Sequence, residues 1–217
     1  MAYGKSSIGL VLLALAVMVY LTLNNIPKYT SFKSRDGLTL AYSDQGSGPA
    51  VILLHAFMIE STTNWIETDV VSSLLESGFR VIWMDSRGHG LSEKPHNASA
   101  YAGDVPYFDI ADLVNLLTLK EAYLVGYSMG ANTAILAAIR DKRIKGVIAA
   151  GTGLPSNEIW DPSNRADEVR TMREDSPENP GFYRQTADMI GGGDRLAYAA
   201  RLEGGRFPRC ILPANSC

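Results

Sequence analysis

The chain has 217 residues, 46% of them hydrophobic, with 20 Lys and Arg against 23 Asp and Glu and a net charge of −3. That length suits one domain whose core needs no disulfide staples, and the lack of a concentrated basic surface excludes a nucleic-acid binder. The two cysteines, Cys210 and Cys217, fall within the last eight residues, which excludes a disulfide framework and a zinc site.

The first element is apolar. Ile8 to Leu23 carries no charge, and as a helix it would be about 24 Å long at ~1.5 Å per residue. Ser6, Ser7 and Ile26 extend it toward the hydrocarbon thickness of a bilayer. The expectation for residues 1–27 is an uncleaved single-pass membrane helix. A cleaved signal, giving a secreted or periplasmic protein, is the alternative. It is disfavoured because the A-x-A site, Ala14-Leu15-Ala16, lies inside the apolar run and Leu21 to Ile26 offers no good site. Lys5 precedes the segment and Lys28, Lys33 and Arg35 follow it, so charge leaves the orientation open.

Two extended runs, Tyr29–Ser34 and Leu38–Asp44, flank Arg35-Asp36-Gly37 and predict a hairpin. Ala50–Leu54 (AVILL) is a short apolar run suited to a strand buried on both faces. A helix over Asp69–Glu76 follows, then a strand at Phe79–Met84 and a helix at Tyr107–Leu117. A strand at Ala122–Val125, a helix at Met129–Arg140 and a strand at Ile144–Ala150 complete the series. This alternation predicts a doubly wound, mostly parallel α/β sheet over residues 28–153. Residues 154–205 read differently. Prolines interrupt a charged stretch in which short helices are expected at Ala166–Glu174, Phe182–Ile190 and Asp194–Glu203, the first capped by Asn164 and Asp167. The glycines at 191–193 read as a turn rather than a phosphate loop, because no strand feeds them. Asn97-Ala98-Ser99 is a sequon by pattern only. No cofactor or metal is expected.

One turn concentrates the chemistry. Gly126-Tyr127-Ser128-Met129-Gly130 is G-x-S-x-G between an apolar strand and a helix, the context of a nucleophile elbow. A sharp turn there lifts the serine hydroxyl above the sheet, and the helix N-terminus favours developing negative charge. Backbone N–H groups of Phe57, in the loop after AVILL, and of Met129 are the expected oxyanion donors.

These features resemble the α/β-hydrolase superfamily, in its esterase and haloperoxidase-like branch. The resemblance rests on His55-Ala56-Phe57, on Asp85-Ser86-Arg87-Gly88-His89-Gly90-Leu91-Ser92 and on Gly126-Tyr127-Ser128-Met129-Gly130-Ala131. Ala56 departs from the family's usual glycine. The resemblance implies a nucleophile at Ser128, a helical lid over residues 154–205, and structural roles for His55 and for Asp85–Ser92. It also implies a small ester-like or related carbonyl substrate. His96, in a polar loop, is expected to be solvated.

A serine hydroxyl needs a base, and in this fold the acid and the histidine follow the serine in the chain. The three histidines stand at 55, 89 and 96, all before Ser128. Glu158, Asp161 and Asp188 are candidate acids, but without a histidine they orient nothing. Pro208 and Pro213 make residues 206–217 an irregular tail, which reads as a truncation or a shifted frame. The expectation is therefore a serine-hydrolase fold of weak or no activity, with acid and base unassigned. The alternative is a non-catalytic membrane-anchored binding protein.

Overall fold

The computed structural model describes residues 28–152 and 162–205, together with Leu13 and Leu15. Leu13 and Leu15 are helical and exposed. The rest of the apolar segment 8–23 lies outside the described residues, and so does the tail 206–217. Among the described residues no helix is long and apolar enough to cross a membrane, so the expected N-terminal membrane helix stands without structural support.

Among the described residues six strands form one sheet in the order β1-β2-β4-β3-β5-β6. They are β1 (Thr30–Lys33), β2 (Thr39–Gln45), β3 (Ala50–Leu54), β4 (Arg80–Met84), β5 (Ala122–Tyr127) and β6 (Ile144–Ala150). β3 to β6 run parallel, with Ile52 beside both Ile82 and Leu124, and Val125 beside Ile148. β2 pairs antiparallel with β4, Tyr42 opposite Met84. The sheet is thus mixed and mostly parallel. The hairpin expected at Arg35-Asp36-Gly37 is present: the Ser34 amide donates to Leu38 O at 2.9 Å and the Gly37 amide to Ser34 O at 2.8 Å.

Three helices follow the expected alternation: α1 (Val70–Glu76), α2 (Val105–Leu116) and α3 (Met129–Arg140). β3 is buried at every position. Ile52, Leu54, Ile82, Leu113, Val114, Leu124 and Ala134 join strands and helices in one apolar core. Two turns lie outside the alternation that the sequence pattern predicts, a turn of π-helix at Thr62–Ile66 and a 3₁₀ turn at Ala98–Tyr101.

Residues 162–205 form three short helices, α4 (Pro162–Arg173), α5 (Phe182–Ile190) and α6 (Arg195–Gly204). The expected capping of α4 by Asn164 and Asp167 is corrected. The described helix runs from Pro162 to Arg173, so both residues lie inside it. The N-terminus of α5 is capped from another helix, because Glu168 accepts the amides of Phe182 at 2.8 Å and Tyr183 at 3.0 Å. Asp194 caps α6 by accepting from the amides of Leu196 and Ala197. Between α5 and α6, Gly191 and Gly192 have φ of +69° and +82°, the turn expected there.

Candidate active site

The site is built at the carboxyl ends of β3, β4 and β5. At the end of β5 the chain turns sharply into α3, and Ser128 takes φ +50° and ψ −109°, a conformation rare for a side-chain-bearing residue. Three contacts hold it. Its amide donates to Ala150 O at 2.9 Å. Its carbonyl accepts from the Asn132 amide at 3.2 Å and from Asn132 Nδ2 at 3.3 Å. Asn132 Oδ1 in turn accepts from the Thr152 hydroxyl at 2.9 Å. Its own amide and carbonyl are thus both engaged, while among the described residues its hydroxyl has no hydrogen-bond partner.

The flanking glycines permit this turn through close approach. A Cβ on Gly126 would come within 2.4 Å of Gly130 O, and one on Gly130 within 2.0 Å of Leu54 O and 2.8 Å of His55 O. The start of α3 therefore lies directly against the end of β3 and the loop that follows it. This contact brings Ser128 and the loop 55–58 into one site.

That loop is tightly determined. Met58 has φ +64°. Its amide donates to His89 Nε2 at 3.1 Å, and its carbonyl accepts from the Tyr198 hydroxyl at 3.4 Å. The Ala56 amide donates to Asn64 Oδ1 at 2.9 Å, which gives the π-helical turn a role in fixing the loop. Phe57 packs edge-on against His89, Tyr183 and Tyr198 at centroid distances of 5.4–5.6 Å. Helices α4 to α6 thus seat on this loop through an aromatic cluster that also holds Met58, Met172 and Ala199. Among the described residues neither the Phe57 amide nor the Met129 amide donates a hydrogen bond. Both expected oxyanion donors are idle.

Asp85 is buried and holds its own loop. Oδ1 accepts from the Ser61 amide at 3.0 Å and Oδ2 from the Leu91 amide at 2.9 Å. A Cβ on Gly90 would fall 2.1 Å from Asp85 Oδ2, which is why glycine stands there. Arg87 pairs with Asp109 at 2.5 Å and with Asp36 at 2.8 Å. Asp36 is held down to about 2, first by its hydrogen bond from Arg87.

The two buried histidines serve the backbone. A backbone N–H can only donate, so Nε2 of each ring is the acceptor and Nδ1 carries the proton. His55 accepts from the Ser86 amide at 2.9 Å and directs Nδ1 to Ala56 O at 2.7 Å. His89 accepts from the Met58 amide and directs Nδ1 to Arg87 O at 3.1 Å. Burial pulls both pKa values below the ordinary 6.5, with Asp85 and backbone bonding opposing the drop at His55 and the neighbouring His55 adding to it at His89. Neither ring has a free nitrogen to offer the serine. His96 is half exposed, in keeping with the expectation, and its Nε2 lies 2.9 Å from Asp194, tying the loop before the 3₁₀ turn to the start of α6. No local pattern in the sequence signals this pair, because its members are 98 residues apart.

Of the candidate acids, Asp188 is exposed and paired with Arg184 one turn away on α5. Glu158 and Asp161 lie outside the described residues.

Residues 49–188 match the family model described as alpha/beta hydrolase fold. An epoxide hydrolase from Caballeronia sordidicola is 36% identical over 164 residues, covering 72% of this chain and 49% of that protein. A 2-(acetamidomethylene)succinate hydrolase from Mesorhizobium japonicum is 36% identical over 106 residues, covering 48% of this chain and 35% of that protein. The chain spans about half or less of the length of these curated relatives. Among solved structures, a hydrolase from Pseudomonas aeruginosa superposes with a TM-score of 0.61 at 20% identity, covering 82% of this chain and 72% of that one. An esterase from Exiguobacterium antarcticum superposes with a TM-score of 0.60, also at 20% identity, covering 84% and 75%. The family match spans well over half of the chain, and the strained serine turn, the idle amides and the mixed sheet agree with it: this chain belongs to the alpha/beta hydrolase fold family.

Proposed function

We propose that Ser128 is the nucleophile of an acyl-transfer site acting on a small carboxylic ester or related carbonyl compound, with the Phe57 and Met129 amides as its oxyanion hole. The observation that carries this reading is the strained conformation of Ser128 beside two idle backbone donors. The serine oxygen would add to the carbonyl carbon as its proton passes to water, the carbonyl oxygen would take up the negative charge against the two amides, and the alkoxide would leave and take a proton back from water as an alcohol, giving an acyl-serine. The identity of the nucleophile also bears on substrate class. A serine that opened an epoxide would be left with an ether, which water does not cleave under mild conditions. A serine that attacks an ester is left with another ester, which water does cleave. Although a relative is named an epoxide hydrolase, Ser128 favours carbonyl substrates.

Turnover by the described residues alone is low in this reading, because both ring nitrogens of His55 and of His89 are bonded to backbone groups and neither ring serves Ser128 as a base. Oxyanion stabilisation and binding alone sustain ~10³–10⁴-fold catalysis over water in sites stripped of a triad member. The second reading, a binding protein without catalysis, is favoured by the same commitment of both rings. In either case the apolar segment at residues 8–23 would anchor the chain to a membrane as a single pass, or would direct export if cleaved.

A fluorophosphonate probe applied to the full chain tests this. The expected result is slow labelling that disappears in Ser128→Ala and is insensitive to Asp188→Asn. Fast labelling would reveal a base that the reading denies. No labelling of folded protein would leave the binding reading alone.

A further inference from the structure

Ser128 and Met129 share one peptide unit, and it is trans. In a trans unit the carbonyl and the N–H point to opposite sides of a single rigid plane. Whatever holds the Ser128 carbonyl therefore also aims the Met129 amide, one of the two proposed oxyanion donors. One residue holds that carbonyl twice. Asn132 gives it the ordinary helical bond from its own amide at 3.2 Å, and a second bond from side-chain Nδ2 at 3.3 Å. Asparagine is a weak helix former because its side chain competes for backbone groups. In the first turns of α3 the backbone group it takes is the one whose direction the site depends on.

The side-chain amide of Asn132 has a donor end and an acceptor end, and its neighbours decide which end faces the carbonyl. Thr152 settles it. Its hydroxyl donates to Asn132 Oδ1 at 2.9 Å, which leaves Nδ2 for Ser128. A flipped amide would set Oδ1 against the Ser128 oxygen. Thr152 stands just beyond β6, and the two residues before it brace the same turn. Ala150 O accepts the Ser128 amide at 2.9 Å. Gly151 has φ +62°, and a Cβ there would meet the Tyr127 ring at 2.5 Å. The end of β6 thus reaches the serine turn by main-chain contact, and Thr152 reaches it through Asn132.

We propose that Asn132, set by Thr152, is a positioning residue that aims the Met129 amide at the oxyanion. This rests on Ser128 as nucleophile and Met129 as donor, and it adds a residue that touches neither substrate nor reacting atoms. The Phe57 amide is fixed by a separate loop. Loss of the Asn132 clamp therefore removes part of the oxyanion stabilisation and leaves the non-covalent contacts of a ligand in place.

The test is fluorophosphonate labelling of the full chain over a range of probe concentrations, which separates the dissociation constant of the probe from the limiting rate of bond formation. Removing one oxyanion donor outright slows a reaction by ~10²–10³-fold, and misaiming one costs less. Asn132→Ala is expected to lower the limiting rate about tenfold with the dissociation constant unchanged. Thr152→Val is expected to lower it severalfold in the same way, and Thr152→Ser, which keeps the hydroxyl, to restore the parent rate. Asn132→Ala combined with Thr152→Val should be no slower than Asn132→Ala alone, because both changes act on one bond. The inference is overturned by an unchanged limiting rate in Asn132→Ala, by Thr152→Ser no faster than Thr152→Val, or by a change confined to the dissociation constant. Should Asn132→Ala not fold, an unchanged limiting rate in Thr152→Val overturns it equally. A parent chain that does not label overturns the nucleophile assignment and this inference with it. A parent that labels beside variants that label equally well overturns the inference alone.

Discussion

Replacing Gly130 by alanine separates two opposed effects of sign. Gly130 is the second residue of α3, and in a helix alanine is ordinarily favoured over glycine by about 1 kcal/mol. Here the added methyl would meet Leu54 O at 2.0 Å, Leu54 C at 2.4 Å and His55 O at 2.8 Å. All three are backbone atoms of a buried strand end, and none can rotate away. To restore ordinary contact the helix start must retreat by more than about 1 Å from β3, and overpacking of this kind costs about 1–3 kcal/mol or more. The clash outweighs the propensity, and a net loss near 2 kcal/mol is expected. For a chain of this size that lowers the midpoint by roughly 4–8 °C. Urea unfolding of the full chain, followed by far-ultraviolet circular dichroism, measures it. The same retreat pulls Ser128 away from the loop 55–58, so fluorophosphonate labelling should fall more than stability does. A Gly130→Ala chain as stable as the parent, or more so, would refute the reasoning that close approach fixes this glycine.

Three further outcomes are expected. Asp109→Asn removes the buried partner of Arg87, whose side chain is 2% exposed, and should cost about 3–5 kcal/mol by urea unfolding, whereas the double change Arg87→Met with Asp109→Leu should cost less. His55 and His89 stay neutral when folded, so the unfolded chain alone takes up protons as the pH falls through the ordinary 6.5. Stability is therefore complete above that pH and declines below it, by up to about 1.4 kcal/mol per pH unit for each ring; a flat profile between pH 7.5 and 5.5 would contradict the burial argument. Asp194→Ala removes the cap of α6 and should cost about 1 kcal/mol in thermal unfolding, with His96→Ala costing much less because its side of the pair is half exposed.

The sheet was legible because its signals are local. AVILL is apolar throughout, and it is the strand buried at every position. The elbow was legible for a similar reason, since glycines at 126 and 130 around Ser128 encode a steric requirement that the Leu54 contact explains. What escaped was long-range polar bonding. Nothing near Glu168 marks it as the cap of a helix fourteen residues on, and nothing near His96 points to Asp194. The helix α4 already includes Pro162, ahead of the start expected at Ala166, because proline's fixed φ is compatible with the first helical turn.

The two bonds in which a backbone amide donates to an imidazole nitrogen, Met58 to His89 and Ser86 to His55, have a spectroscopic consequence. Both partners in each bond are nitrogen, so ¹⁵N-labelled protein should show scalar coupling across the hydrogen bond itself. Those couplings would identify the tautomer of each ring without reference to activity. They would persist through acid titration for as long as the chain stays folded, because both rings stay neutral there, and so report directly on the loop beside Ser128.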